Sequence, residues 1–169
     1  PYAKIHPFAV SDQNGEASFY ENNVEDTSSL LKSDAEILPE SYKALQATKR
    51  TLEVQTVTLD DLAETVKENK ITILKMDIQG GELMALQGSE SLLSNQRIDL
   101  IYTEVFFRSY YVDHPLFGDI FAKLSSYSYH FHGLYNYQIS GLTGQLQWAD
   151  AIFVSPRLKE KSLALQSDQ

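Results

Sequence analysis

The chain has 169 residues, 43% hydrophobic and 22% charged, with a formal net charge of −9 and no cysteine. That length suits one domain with a real core, and the ordinary globular composition excludes disordered and fibrous classes. The acidity excludes nucleic acid as the main partner, because phosphate binding relies on clustered lysine and arginine; a neutral or cationic ligand fits better. Lack of cysteine removes disulfides and thiol chemistry but says nothing of the redox compartment; cytoplasm is the default expectation. Apolar runs such as Ile71-Thr72-Ile73-Leu74-Lys75-Met76 are short and carry charge, so no span of a bilayer and no membrane partner is expected. The chain opens on Pro1 with no basic, apolar leader, which reads as a cut.

In chain order, residues 4–10 read as a strand blemished by Pro7, and Asp12-Gln13-Asn14-Gly15 as the turn of a hairpin returning through residues 16–20. Residues 21–50 are polar and serine-rich, with a helix after Pro39 that carries Tyr42, Leu45 and Gln46. Residues 52–57 alternate as a strand. Thr58 then supplies a hydroxyl N-cap with Asp60 and Asp61 in the first turn, which predicts a helix to about residue 69. Its Leu62, Ala63 and Val66 form one apolar stripe that needs a sheet to pack on.

Residues 71–77 are nearly all apolar and β-branched, the pattern of a central strand buried on both faces. Gly80-Gly81 breaks the chain before a helix over 82–93, interrupted at Gly88. A strand over 98–105 and an amphipathic helix over 116–124 follow. Strands over 127–135 and 148–154 close the domain, and the residues from 156 to 169 form a polar tail behind a domain of 1–155. Helix-strand alternation closed by two strands predicts an α/β fold, Rossmann-like, with a mostly parallel sheet and an antiparallel edge. In such sheets ligands sit outside the carboxyl ends of strands, which singles out Asp12, Asp77 and Glu104.

The run Leu74-Lys75-Met76-Asp77-Ile78-Gln79-Gly80-Gly81-Glu82-Leu83, continued by Leu86-Gln87-Gly88-Ser89-Glu90, resembles the signature of FkbM-type methyltransferases, roughly L-K-x-D-x-E-G-x-E. Val57-Thr58-Leu59-Asp60-Asp61-Leu62 is similar to the family's V-T-L-D-D-L. Phe8-Ala9-Val10-Ser11-Asp12 with Gly15 is similar to its A-L-S-D-x-x-G, and Ile101-Tyr102-Thr103-Glu104-Val105 to its strand ending in an acid. Gln79 departs from the pattern, standing where the family usually has an acid. The resemblance implies a class I methyltransferase-like fold and S-adenosylmethionine as cofactor, touched by Ser11, Asp12, Asp77 and Ile78. It also implies that the first two strands, with the glycine-rich cofactor loop, lie upstream of Pro1. The implied activity is methyl transfer to a hydroxyl of a small molecule or sugar, with Asp77 facing the sulfonium or the acceptor.

Each residue has a plainer reading beside the functional one. Asp77 could cap the next helix or pair with Lys75. Glu104, expected roughly 5–10 Å from Asp77 on the adjacent strand, suits acceptor binding and proton removal, or a salt bridge. Glu82 suits a first-turn helix acid or a substrate contact, and Gln79 is a candidate substrate contact. Asp12 suits an ordinary turn. The aromatic stretch 106–115 offers Phe106 and Tyr110 as a face for a sugar or polyketide, or as a cover for the sheet edge, and His114 as a base. His130 and His132 share a strand face at a metal-compatible spacing, but a third ligand is lacking, so a hydrogen-bonded pair and no metal are expected; Tyr127, Tyr129 and Tyr135 would face the core. Two other functions stay open: a non-catalytic module that binds carbohydrate or forms a homo-oligomer, and a metal-assisted hydrolase using Asp77, Glu104 and the histidine pair.

Overall fold

The computed structural model describes residues 3–67 and 70–167, the side chains of 162–167 excepted. Among the described residues seven strands form two sheets. The three-stranded sheet holds β1 (Ala9–Val10), β2 (Gly15–Asn22) and β3 (Thr48–Val57) in the order β1-β3-β2, and the four-stranded sheet holds β4 (Ile71–Met76), β5 (Ile98–Phe106), β6 (His130–Ile139) and β7 (Leu146–Val154) in the order β4-β5-β7-β6.

The core sits under the four-stranded sheet. Burial alternates along β5 and β7, so that Ile101, Thr103 and Val105 and their neighbours Ala149, Ala151 and Phe153 are sealed while the residues between them are half-buried. A period of two with one sealed face is what a strand under a single helical layer should show. That layer comes from α3 (Glu82–Gln87), α4 (Glu90–Ser94) and α5 (Phe117–Ser126), which contribute Leu86, Leu92, Leu93, Ile120 and Leu124. The opposite face carries Lys75, Tyr102, Glu104, Trp148 and Asp150, and there the site lies.

Helix boundaries follow local chemistry. Thr58 caps α2 (Leu59–Val66), its hydroxyl accepting the Asp61 N–H at 3.1 Å. Residues 68–69, into which this helix was expected to run, lie outside the described residues; it closes at Lys67, whose φ is +58°. Asp60 accepts the N–H groups of Ser91 and Leu92, so its carboxylate caps α4 and ties the two helices together. Gly88 separates α3 from α4 for a steric reason as well: a Cβ there would stand 2.2 Å from the Ser11 carbonyl oxygen. The short α1 (Glu40–Lys43) starts behind Pro39, and α6 (Pro156–Ser167) follows β7, held to β5 by Arg157 on Asp99.

Four expectations need correction. The sheets are mixed rather than mostly parallel: only β1–β3 and β4–β5 run parallel, while the β2–β3, β5–β7 and β6–β7 pairs are antiparallel. Second, β1 and β2 form no hairpin, because β3 lies between them. The turn that suggested the hairpin is instead occupied by the end of β3: Asn14 Oδ1 accepts the Thr58 N–H and Gln13 O accepts the Thr56 hydroxyl. Third, β4 is not buried on both faces. It pairs only with β5 among the described residues, and Ile73 is 60% exposed. Tyr135 is also exposed rather than in the core, since the β6 register shifts between Phe131 and Gly133. Among the described residues no helix is long and apolar enough to cross a membrane.

Candidate functional site

Parallel pairing of Met76 with Thr103 sets the next residues, Asp77 and Glu104, side by side at the carboxyl ends of β4 and β5. Antiparallel pairing of β5 with β7 then brings Asp150 opposite Glu104. One amide joins the first two acids: Gln79 Nε2 donates to Glu104 Oε2 at 3.0 Å and to Asp77 Oδ1 at 3.3 Å. Gln79 Oε1 and the Thr27 carbonyl each lie 3.1 Å from the Tyr111 hydroxyl. The chain turns sharply here, with φ of +56° at Gln79 and +91° at Gly80, and Ser29 Oγ fastens the turn by donating to the Gln79 carbonyl at 2.7 Å. A glutamine suits this place physically, since a third carboxylate between two others would repel both.

The two acids differ in surroundings. Asp77 is half-exposed and paired with Lys75 Nζ at 3.1 Å, an interaction that also raises the lysine's pKa. Glu104 is held well above the usual carboxylate range, at about 8, first by burial and then by the charges of Asp77, Glu82 and Asp150. It is therefore mostly protonated at neutral pH, and near that pH it can either donate or accept a proton. Asp150 is itself engaged by the Tyr102 hydroxyl at 2.5 Å and by Asn136 Nδ2 at 2.8 Å.

A cleft of about 200 Å³ opens beside Glu104 and Gln79, walled by Tyr42, Phe106, Tyr110 and Trp148. Phe106 and Tyr110 line this cleft. A second cavity of about 200 Å³ is apolar and lies between the two sheets, bounded by Val10, Phe19 and Ile78 among others. A third, polar recess exposes Asp77 and Gln79 next to Glu25 and Asp26.

Other candidates stand elsewhere. Glu82 is buried beneath the turn, accepting the Ile78 N–H at 2.9 Å, and burial raises its pKa. It shapes the turn rather than facing a ligand. His114, expected as a base, is packed behind the cleft against Phe106 and Tyr111, with Nδ1 accepting the Tyr110 N–H at 3.1 Å. Burial lowers its pKa to about 4, so it is neutral, with its proton on Nε2. Nε2 meets Gly80, where a Cβ would approach to 2.9 Å; the bare Cα there admits the imidazole and not a ligand. Ser11 is buried with its hydroxyl on Asp12, and Asp12 stays exposed in the turn, so neither lines the apolar cavity that Ile78 borders. His130 and His132 lie on β6, separated from Asp77 by two intervening strands, and no group of three or more metal-ligating side chains occurs among the described residues. That separation leaves the metal-hydrolase alternative without a site.

Sequence reading missed Asp150, Tyr111, Gln46 and Trp148. Asp150 had a signal: an acid flanked by Ala149 and Ala151 in an otherwise apolar strand is costly unless it has partners or a task. Tyr111 is brought in by the loop after β5, Gln46 by the segment after α1 and Trp148 by β7, through packing that local patterns do not reveal.

Acids at adjacent strand ends, a turn fixed beneath them and cavities on both sides lie at the sheet's carboxyl edge in this α/β protein, the edge where ligands of open α/β sheets sit. A methyltransferase FkbM domain matches residues 1–131. The chain belongs to the FkbM methyltransferase family. No curated protein and no solved structure matches it.

Proposed function

We propose that this chain takes part in S-adenosylmethionine-dependent methyl transfer to a hydroxyl group of a small molecule or sugar. The observation that supports this most is the joining of Asp77 and Glu104 through Gln79 at the mouth of an aromatic-walled cleft. The residues present fit the adenosyl and sulfonium portions of the cofactor: Ile78 and Val10 border an apolar slot suited to a purine, and Asp77 offers a carboxylate to a positive sulfur. When bound, the cofactor supplies an electrophilic methyl group.

The chain's own residues position and deprotonate the acceptor. In-line positioning of the oxygen is worth about 7–11 kcal/mol and base assistance about 3–5 kcal/mol, so the cleft walls count for more than the base. Glu104 is the candidate base, because a carboxyl near pH 8 is more basic than an ordinary carboxylate and stands beside the cleft. Asp77 orients the hydroxyl, and Gln79, itself in contact with Tyr111, keeps both carboxyls aimed at one point.

Asp77→Asn should lower turnover by on the order of 100-fold, the scale of loss when a reacting group is misplaced by about 1 Å, while donor affinity changes only a few-fold. Turnover equal to wild type, measured by transfer of a labelled methyl group, would remove Asp77 from the mechanism. Because Glu104 acts only when unprotonated, kcat/KM should climb as pH rises toward about 8 and level off above it. That rise should vanish in Glu104→Gln.

A further inference from the structure

The hydrogen bonds around Gln79 are one proton short. Tyr111 is 1% exposed, and its hydroxyl stands 3.1 Å from two acceptors at once, the Thr27 carbonyl and Gln79 Oε1, with a single proton to give. Reversal of the Gln79 amide removes the shortage: Nε2–H then donates to the Tyr111 oxygen, and the Tyr111 proton goes to Thr27. The exchange needs only a half-turn about the last side-chain bond, a soft and nearly two-fold rotation. The backbone stays pinned meanwhile by the Ser29 hydroxyl on the Gln79 carbonyl.

The proton on Glu104 decides between the two arrangements. With Glu104 ionised, Nε2 faces it, as it does at 3.0 Å, and Tyr111 gives its proton to Gln79 Oε1. With Glu104 protonated, a carbonyl facing it is the better partner. Glu104 O–H then donates to Gln79 Oε1, Gln79 N–H to Tyr111, and Tyr111 O–H to Thr27, a chain in which every donor points the same way. Asp77 gives up its 3.3 Å contact with Nε2 in that state, but it keeps Lys75 and is half-exposed to water. The remaining charges act on Glu104 from fixed places: Asp150 on β7 and Glu82 on α3 oppose its ionisation, Lys75 on β4 favours it, and Asp26 lines the same cleft.

We propose that Tyr111 is a positioning residue for the acid-base step, acting through Gln79: its hydroxyl, able both to donate and to accept, lets the amide turn as Glu104 gains or loses its proton. The proposal rests on the reading of Glu104 as the acid-base group. It adds that a neutral side chain rearranges in step with the proton, so that Glu104 has a hydrogen-bond partner in both of its states.

The protonated arrangement uses two bonds of the Tyr111 hydroxyl and the ionised one uses one, so Tyr111→Phe should favour ionisation. Followed by carbon NMR of labelled glutamate, without methyl donor or acceptor, the Glu104 midpoint should fall from about 8 by roughly half to one pH unit, the weight of one hydrogen bond. A fixed amide predicts the opposite sign, because loss of the Tyr111 proton would weaken the N–H group facing the carboxylate and raise the midpoint. In a Gln79→Met background Tyr111→Phe should have no further effect on the midpoint, which a merely structural tyrosine would not explain. Neutron diffraction from the unmodified chain makes the test without a variant: the amide deuterium atoms should face Tyr111 well below pH 8 and Glu104 well above it. A midpoint that rises or stays, a shift that survives Gln79→Met, or one amide orientation at both pH values would overturn the proposal. A turning amide beside methyl transfer indifferent to pH would sink Glu104 as the base and keep this inference; methyl transfer that follows Glu104 over an amide that never turns would do the reverse.

Discussion

The two sheets treat polar groups in opposite ways. In the three-stranded sheet nearly every side chain that could be left wanting has a partner across the strands: Glu21 with Arg50 and Lys49, Glu16 with Gln55, Ser18 with Glu53. In the four-stranded sheet the sealed face is apolar, while the other face gathers Asp77, Glu104 and Asp150 in one row with Lys75 as the nearest cation. The first arrangement lowers the energy of the fold. The second raises it, as the upward push on Glu104 records, and conflict of that kind is what a site for acid-base chemistry requires. Within the four-stranded sheet, stability and function are thus separated by face.

The largest effect expected from breaking this division is in the core. Phe153 is fully buried and packs against Phe131 at 5.4 Å and Phe121 at 6.3 Å. Phe153→Ala should cost about 3–5 kcal/mol, read as a shift in the denaturant midpoint, whereas Leu52→Ala in the three-stranded sheet should cost much less. Comparable losses at the two positions would mean that the smaller sheet has a core of its own.

A smaller effect should come from relieving the acid row. Glu104 ionises near pH 4.5 when unfolded and near 8 when folded. Its neutral form is the one the fold accepts, so the native state loses stability as pH rises from the first value to the second. Glu104→Gln cannot ionise and keeps an acceptor for Gln79. Above pH 8 it should be more stable than wild type by on the order of 2–4 kcal/mol, allowing for solvent screening, and the two should converge below pH 4.5. A stability difference independent of pH would show that neither burial nor the three neighbouring carboxylates hold Glu104 neutral.

Much of this was legible in the residues, and the exceptions have physical causes. Thr58 and its acids announced α2, and the motif around Asp77 announced both the family and the meeting of Asp77 with Glu104, because parallel neighbours must end together. The hairpin was misread because Asn14 and Gly15 satisfy the chemistry of a two-residue turn equally well when a strand from elsewhere intervenes. The interior character of β4 was misread because its composition reports what could be buried, not what is present to bury it. His114 could not be told from a base by type alone; a ring with one nitrogen taken by a backbone N–H and the other against Gly80 is known only from packing.

The mildest test concerns the link between the sheets. Asn22 ends β2 beside a shift in register and is 1% exposed. Its Nδ2 donates to the Thr27 carbonyl at 2.7 Å and to Ser33 Oγ at 3.1 Å, and its Oδ1 accepts from the Thr48 hydroxyl at 3.3 Å. It therefore braces the loop whose Thr27 carbonyl lies beside the Tyr111 hydroxyl and whose Ser29 fastens the Gln79 turn. Asn22→Ala should cost about 1–3 kcal/mol through unmet hydrogen bonds. Its particular mark should be on the site: with Ser29 and Thr27 no longer held, Gln79 loses its fixed aim, so KM for the acceptor should rise and the pH dependence set by Glu104 should shift, neither of which a loss confined to the small sheet would produce. An Asn22→Ala protein with weakened stability but an unaltered pH profile would show that the well-satisfied sheet is a platform only, and that the acid row is held without its help.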